Sequence, residues 1–131
     1  MRISSIMFLI AAVLSVVGAV AHEVLGSPKV LAPLATSNLP ADVIWLHHFS
    51  WHVGTVSVVT MAVLFIAATR TKQGRFLAGF ATAMSAGYAV LAIGLALFGD
   101  SVVWSTPAPY PWTIITVLGV IGLTLYPKTS D

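Results

Sequence analysis

The chain is 131 residues long, 58% of them hydrophobic and only 8% charged. A soluble domain carries about 25% charged residues, so this composition cannot dress a water-facing surface and points to an integral membrane protein. Six Lys and Arg against four Asp and Glu leave a net charge of +2, too small and too dispersed for a nucleic-acid partner. With no cysteine, disulfides, thiolate metal sites, iron–sulfur ligation and cysteine nucleophiles are excluded.

A membrane-spanning helix needs about 20 predominantly apolar residues. Four runs meet or approach that length, at about 3–25, 43–69, 76–98 and 111–126, and their interiors hold almost no Asp, Glu, Lys or Arg. Gly26-Ser27-Pro28 reads as the end of the first run, and Pro40 with Asp42 as the opening of the second, Asp42 being a helix N-cap candidate. Thr71-Lys72-Gln73-Gly74-Arg75 separates the second and third runs. Gly99-Asp100 with Pro107, Pro109 and Pro111 separates the third and fourth. The runs are too long for barrel strands and none alternates with period two. The expected fold is all-α: a single four-helix transmembrane bundle over 1–131.

Charge gives the orientation. Arg2, Arg70, Lys72, Arg75 and Lys128 fall on one side of four spans, and Lys29 falls on the other with Glu23, Asp42 and Asp100. By the positive-inside rule both termini are cytoplasmic, in a bacterial inner membrane. Trp45, Trp51, Trp104, Tyr110 and Trp112 gather at the opposite, periplasmic boundary, where amphipathic rings settle. Small residues at intervals of four suggest where helices pack: Ala11, Ser15 and Ala19 in the first run, Gly79, Ala83 and Gly87 in the third, with Gly94 beyond.

Residues 1–21 also carry signal-like features: Arg2, an apolar stretch, and Ala19-Val20-Ala21 ahead of His22. The apolar stretch exceeds the roughly 7–15 residues usual for a signal. Cleavage would leave three spans, so a retained first helix is the expectation.

All four histidines lie in the first half of the chain: His22, His47, His48 and His52. At about 1.5 Å per residue, His22, His48 and His52 each fall roughly 27–33 Å from the cationic side, at one depth with Glu23. His48 and His52, four apart, share a helix face, and His47 points away over Trp51. Ionisable groups at membrane depth mark sites by default. His22, His48 and His52, with Glu23 as a fourth ligand, are candidate ligands for Cu, Zn or Fe, and His22 with His52 for haem. Phe49-Ser50-Trp51 between the two spaced histidines lacks the glutamate of a zinc peptidase motif. The alternative is that these histidines hydrogen-bond locally and hold helices in register. The segment from Ser27 to Pro40 reads as an apolar connector above the cluster.

His22-Glu23, Gly26, Pro33-Leu34 and Trp51-His52 followed by a small residue together resemble small bacterial four-helix integral membrane proteins of unassigned function. That resemblance spans roughly the first 60 residues. It implies emphasis on His22 and the Trp51-His52 pair, and it implies no activity. No phosphate loop, nucleophile elbow or paired intramembrane carboxylate is present. Three functions remain open. The first is a non-enzymatic membrane protein, an accessory subunit meeting a membrane partner or a second copy through its glycine stripe. The others are a metal- or haem-binding protein and a small-molecule enzyme or carrier with a proton-transfer histidine.

Overall fold

A computed structural model describes residues 2–127, so Lys128 and Asp131 lie outside the described residues. The described chain is helical throughout its regular elements: α1 (Ile3–Ala21), a π-helical turn (His22–Gly26), α2 (Ser27–Ala35), α3 (Ala41–Ala68), α4 (Gly74–Phe98), a 3-10 turn (Ser101–Ser105) and α5 (Pro109–Thr124). No strand occurs among the described residues. α1, the π turn and α2 form one continuous rod, Ile3–Ala35, which makes four rods in all. Three of them are long and apolar enough to cross a membrane. The fourth, α5, has 16 residues and spans about 24 Å at 1.5 Å per residue.

The rods pack in the order α1, α3, α4, α5 and back to α1. The start of α1 lies beside the end of α3 and the residues after α5, so neighbouring rods run antiparallel. Arg2, Arg70 and Lys72 share one end of the bundle, and the π turn meets the first half of α3 toward the other.

Gly26-Ser27-Pro28 does not stop the first helix, contrary to the expectation. Pro28 cannot donate to the carbonyl four residues back, a defect that ordinarily breaks or kinks a helix. Here the Ser27 N–H reaches five residues back, to the His22 carbonyl. The wider π turn absorbs the register change, and Pro28 then sits in the first turn of α2, where no donor is needed. The connector expected over 27–40 is therefore helix as far as Ala35, with Leu31 buried. Asp42 is likewise not an N-cap. Pro40 holds that place, and Asp42 lies in the first turn of α3, favourably placed for the helix dipole.

The core is built from Phe8, Ala11, Ala12 and Ala19 of α1, Val58, Met61 and Phe65 of α3, Ala78 and Ala81 of α4, and Ile115 of α5. Phe8 stacks on Phe65 at 6.0 Å and lies 6.2 Å from the ring of Tyr126. Glycines let α5 come close: a Cβ on Gly119 would strike Thr82, and one on Gly122 would strike the ring of Phe8. Three buried hydroxyls, those of Ser15, Thr82 and Ser85, have partners within the bundle. Ser15 donates to the Ala11 carbonyl at 2.8 Å, Thr82 to Ala78 at 2.7 Å, and Ser85 meets Thr116 of α5 at 3.0 Å.

Ala11, Ser15 and Ala19 are buried, whereas the second small-residue stripe is placed differently from the expectation. Ala83 and Gly87 are exposed, and a Cβ on Gly79, Gly87 or Gly94 would meet nothing within 4 Å. The buried face of α4 is Gly74, Ala78, Ala81, Thr82, Ser85, Ala89, Ala92 and Ala96. The stripe of fours on α1 is buried and that on α4 is not, so the spacing alone does not say which side of an all-apolar helix faces its neighbours. A packing seam alternates threes and fours, as this second set does.

Candidate functional site

The site forms where the π turn crosses α3. His22 lies flat on the indole of Trp51, ring centroids 3.8 Å apart and planes 12° from parallel. Its Nε2–H donates to the Trp51 carbonyl at 3.2 Å, a partner that assigns the proton to Nε2. The same indole comes up against Gly26, where a Cβ would sit only 2.8 Å from Cζ2. Trp51 thus meets both an imidazole and a bare backbone of the π turn. Its Nε1 is buried and makes no hydrogen bond among the described residues.

Glu23, the next residue, also reaches α3. Its Oε1 accepts from His52 Nδ1 at 3.2 Å and from the Thr55 hydroxyl, in a short contact, while Oε2 accepts from Ser27 at 3.1 Å. Both carboxylate oxygens therefore have donors within the chain. His52 completes an ion pair with Glu23 when protonated, with 56% of its side chain exposed against 32% for Glu23.

His48 stands apart. Its ring faces Trp45 at 5.3 Å, one turn nearer the start of α3, and His47 is exposed rather than lying over Trp51. Among the described residues no three His, Cys, Asp or Glu side chains gather as metal ligands. The candidate set His22, His48, His52 and Glu23 resolves into one pair, Glu23 with His52, a stacked His22, and a separate His48. A haem between His22 and His52 meets the same obstacle, because the two rings are committed to Trp51 and Glu23 instead of facing across a gap. The aromatic girdle also divides. Trp45, Trp104 and Tyr110 are exposed, whereas Trp51 turns inward and Trp112 packs beside Tyr88 at 5.2 Å.

Sequence reasoning passed over Gly26, Ser27 and Thr55 as working parts. The available signal was spacing: Gly26 lies four after His22, Ser27 four after Glu23, and Thr55 three after His52, so each falls on a helix face that already carries a candidate residue. Gly26→Ala tests the close approach of Trp51 to the π turn. The new methyl meets the edge of a side chain that can slide, so a loss of about 1 kcal/mol is expected. Thermal unfolding in mild detergent reads it, with Gly94→Ala, which meets nothing, as the silent control. No protein family, curated protein or solved structure matches this chain.

Proposed function

We propose that this chain is a multi-pass protein of a bacterial inner membrane, with both termini cytoplasmic, that works without catalysis as a structural or accessory component. In this reading the His22–Trp51 and Glu23–His52 contacts form a clamp at the periplasmic end. Three long apolar rods support the membrane assignment, as does the set of exposed Val, Leu, Ile and Phe side chains around the bundle. Support for the orientation comes from Arg2, Arg70, Lys72 and Arg75 at one end, with the exposed Trp45 and Trp104 toward the other.

One observation carries the non-catalytic reading. The polar groups that would do chemistry are spent on each other: Glu23 is held by Ser27, His52 and Thr55, and His22 by Trp51. The outward stripe of Gly79, Ala83 and Gly87 is then the surface where a membrane-protein partner or a second copy packs closely, with lipid covering the rest.

Reporter fusions at Gln73 and at the C-terminus are expected to read cytoplasmic and one at Thr36 periplasmic; a periplasmic C-terminus would overturn the orientation. Protein purified without chelator is expected to carry no stoichiometric Cu, Zn, Fe or haem. A bound metal lost on replacing His52 or Glu23 would replace the clamp with a metal site, for which His48, one turn away on the same helix face, and His22, next to Glu23, are the further candidate ligands. Co-purification in mild detergent tests the partner.

A further inference from the structure

A groove walled by cations opens at the end of the bundle opposite the histidines. Arg2, Ser4 and Ser5 of the first turn, Ala68 to Lys72 at the α3–α4 bend, and Tyr126 with Pro127 enclose about 650 Å³. Arg2, Arg70 and Lys72 bring three cations to its walls, and among the described residues no acidic side chain lines it. The only ion pair among the described residues is Glu23–His52, far along the rods, so none of the described carboxylates pairs with these cations.

The backbone adds to the same field. α1 begins at this groove, and its N-cap, Arg2, makes no side-chain capping bond to the first-turn N–H groups. Those groups and the positive end of the helix dipole face the same end as the guanidinium groups. Hydroxyls from Ser5, Thr69 and Thr71 stand among them, although Thr69 already donates to the Ile66 carbonyl. Planar guanidinium forks and an ammonium in one concavity, beside the positive end of a helix dipole, match the tetrahedral oxygens of a phosphate.

We propose that this groove binds a phosphate-bearing anion. Two sources present that chemistry at this depth: the headgroup of an anionic phospholipid in the inner leaflet, and a soluble phosphate. The phospholipid source rests on the membrane-spanning orientation proposed above, and the phosphate chemistry does not. Positive-inside charge alone would spread cations over loops; a groove shared by three separate chain segments is a further arrangement.

The test uses the full chain in neutral maltoside detergent. Thermal midpoints are measured while adding short-chain phosphatidylglycerol, short-chain phosphatidylcholine or inorganic phosphate. A saturable rise with phosphatidylglycerol but not phosphatidylcholine, weakening as salt rises, is expected for the lipid source. A saturable rise with inorganic phosphate alone assigns the soluble source. Arg70→Gln is expected to weaken the effective anion at least about tenfold, the loss of one charge-assisted contact.

Removing cations also biases topology, so a second variant keeps the charge of the bend. Lys72→Gln combined with Gln73→Lys moves one ammonium to a residue outside the groove lining. It is expected to weaken binding as Arg70→Gln does, whereas Lys29→Gln at the other end leaves it unchanged. Equal responses to all three additives, or wild-type binding by both groove variants, would overturn the proposal. Fractionation of the same cells reads the membrane assignment separately: protein in the soluble fraction overturns that reading, while the inorganic-phosphate arm still tests the groove.

Discussion

Gly122→Val is expected to be the most damaging single substitution in the bundle, lowering stability by about 3 kcal/mol, the upper range for overpacking a filled core. A Cβ at Gly122 would fall 2.7 Å from Cδ1 and 3.1 Å from Cζ of Phe8. That ring cannot step aside. Phe8 is 0% exposed, Phe65 lies on one flank and Tyr126 on another. α5 must then move away from α1, which strips contacts all along the seam. In the membrane-spanning reading proposed above that loss is severe, because helices in lipid associate mainly through close packing, with interhelical hydrogen bonds averaging only about 0.6 kcal/mol each. By that comparison Thr116→Val, which removes the hydroxyl partner of Ser85, should cost well under 1 kcal/mol. The measurement is the unfolding midpoint in mild detergent, with Gly87→Val as the matched control. A Cβ at Gly87 meets nothing within 4 Å, so a change within about 0.5 kcal/mol is expected there. If Gly87→Val proved as harmful as Gly122→Val in protein that is monomeric in the detergent, the assignment of inward and outward glycines would be wrong.

These two glycines show where the sequence was legible and where it was not. The four apolar runs were readable because length and lack of charge are local properties that no packing decision can alter. Which face of each run turns inward was not. α4 carries two sets of small residues, one at intervals of four through Gly79, Ala83 and Gly87, the other alternating threes and fours through Ala78, Thr82, Ser85, Ala89, Ala92 and Ala96. A helix apolar on every side offers no polar face to decide between them. Gly26-Ser27-Pro28 misled for a related reason. Gly and Pro penalise a regular helix, but a π turn makes the missing donor harmless, and local composition does not announce such a turn.

The histidines divide along the same line. Counting residues gave depth, and depth brought the His22-Glu23 and Trp51-His52 pairs to one level, where they do meet. Depth to within one turn, about 5.4 Å, cannot tell His48 from His52, and that single turn puts His48 beside Trp45 instead. Azimuth around the helix was missing too, and it is what makes His22 stack on Trp51 while the neighbouring Glu23 reaches past it to Thr55.

Glu23→Ala is expected to lower stability by about 1–2 kcal/mol, from losing hydrogen bonds to a carboxylate that bridges α3 and the first rod. Deleting one partner of a buried ion pair can cost about 3–5 kcal/mol, but two features hold the figure down here. His52 is 56% exposed and returns to solvent when its partner goes. Thr55 and Ser27 are not orphaned, because a hydroxyl in a helix can turn to the carbonyl four residues back, as Ser50, Ser57 and Thr60 of α3 already do. Glu23→Gln keeps an acceptor for one hydroxyl and loses the charge, so about half the effect is expected. His52→Ala, acting on an exposed ring, should cost less than 1 kcal/mol. The coupling between the residues separates a clamp from a collection of surface contacts. In a double-mutant cycle, Glu23→Ala with Thr55→Val should lose less than the sum of the single variants, because each already breaks the same bond. His48→Ala should add independently to both, since its ring sits on Trp45 and shares no partner with Glu23. Strict additivity between Glu23 and Thr55, together with coupling between Glu23 and His48, would exchange the clamp for a site in which His48 and His52 act on Glu23 as a unit.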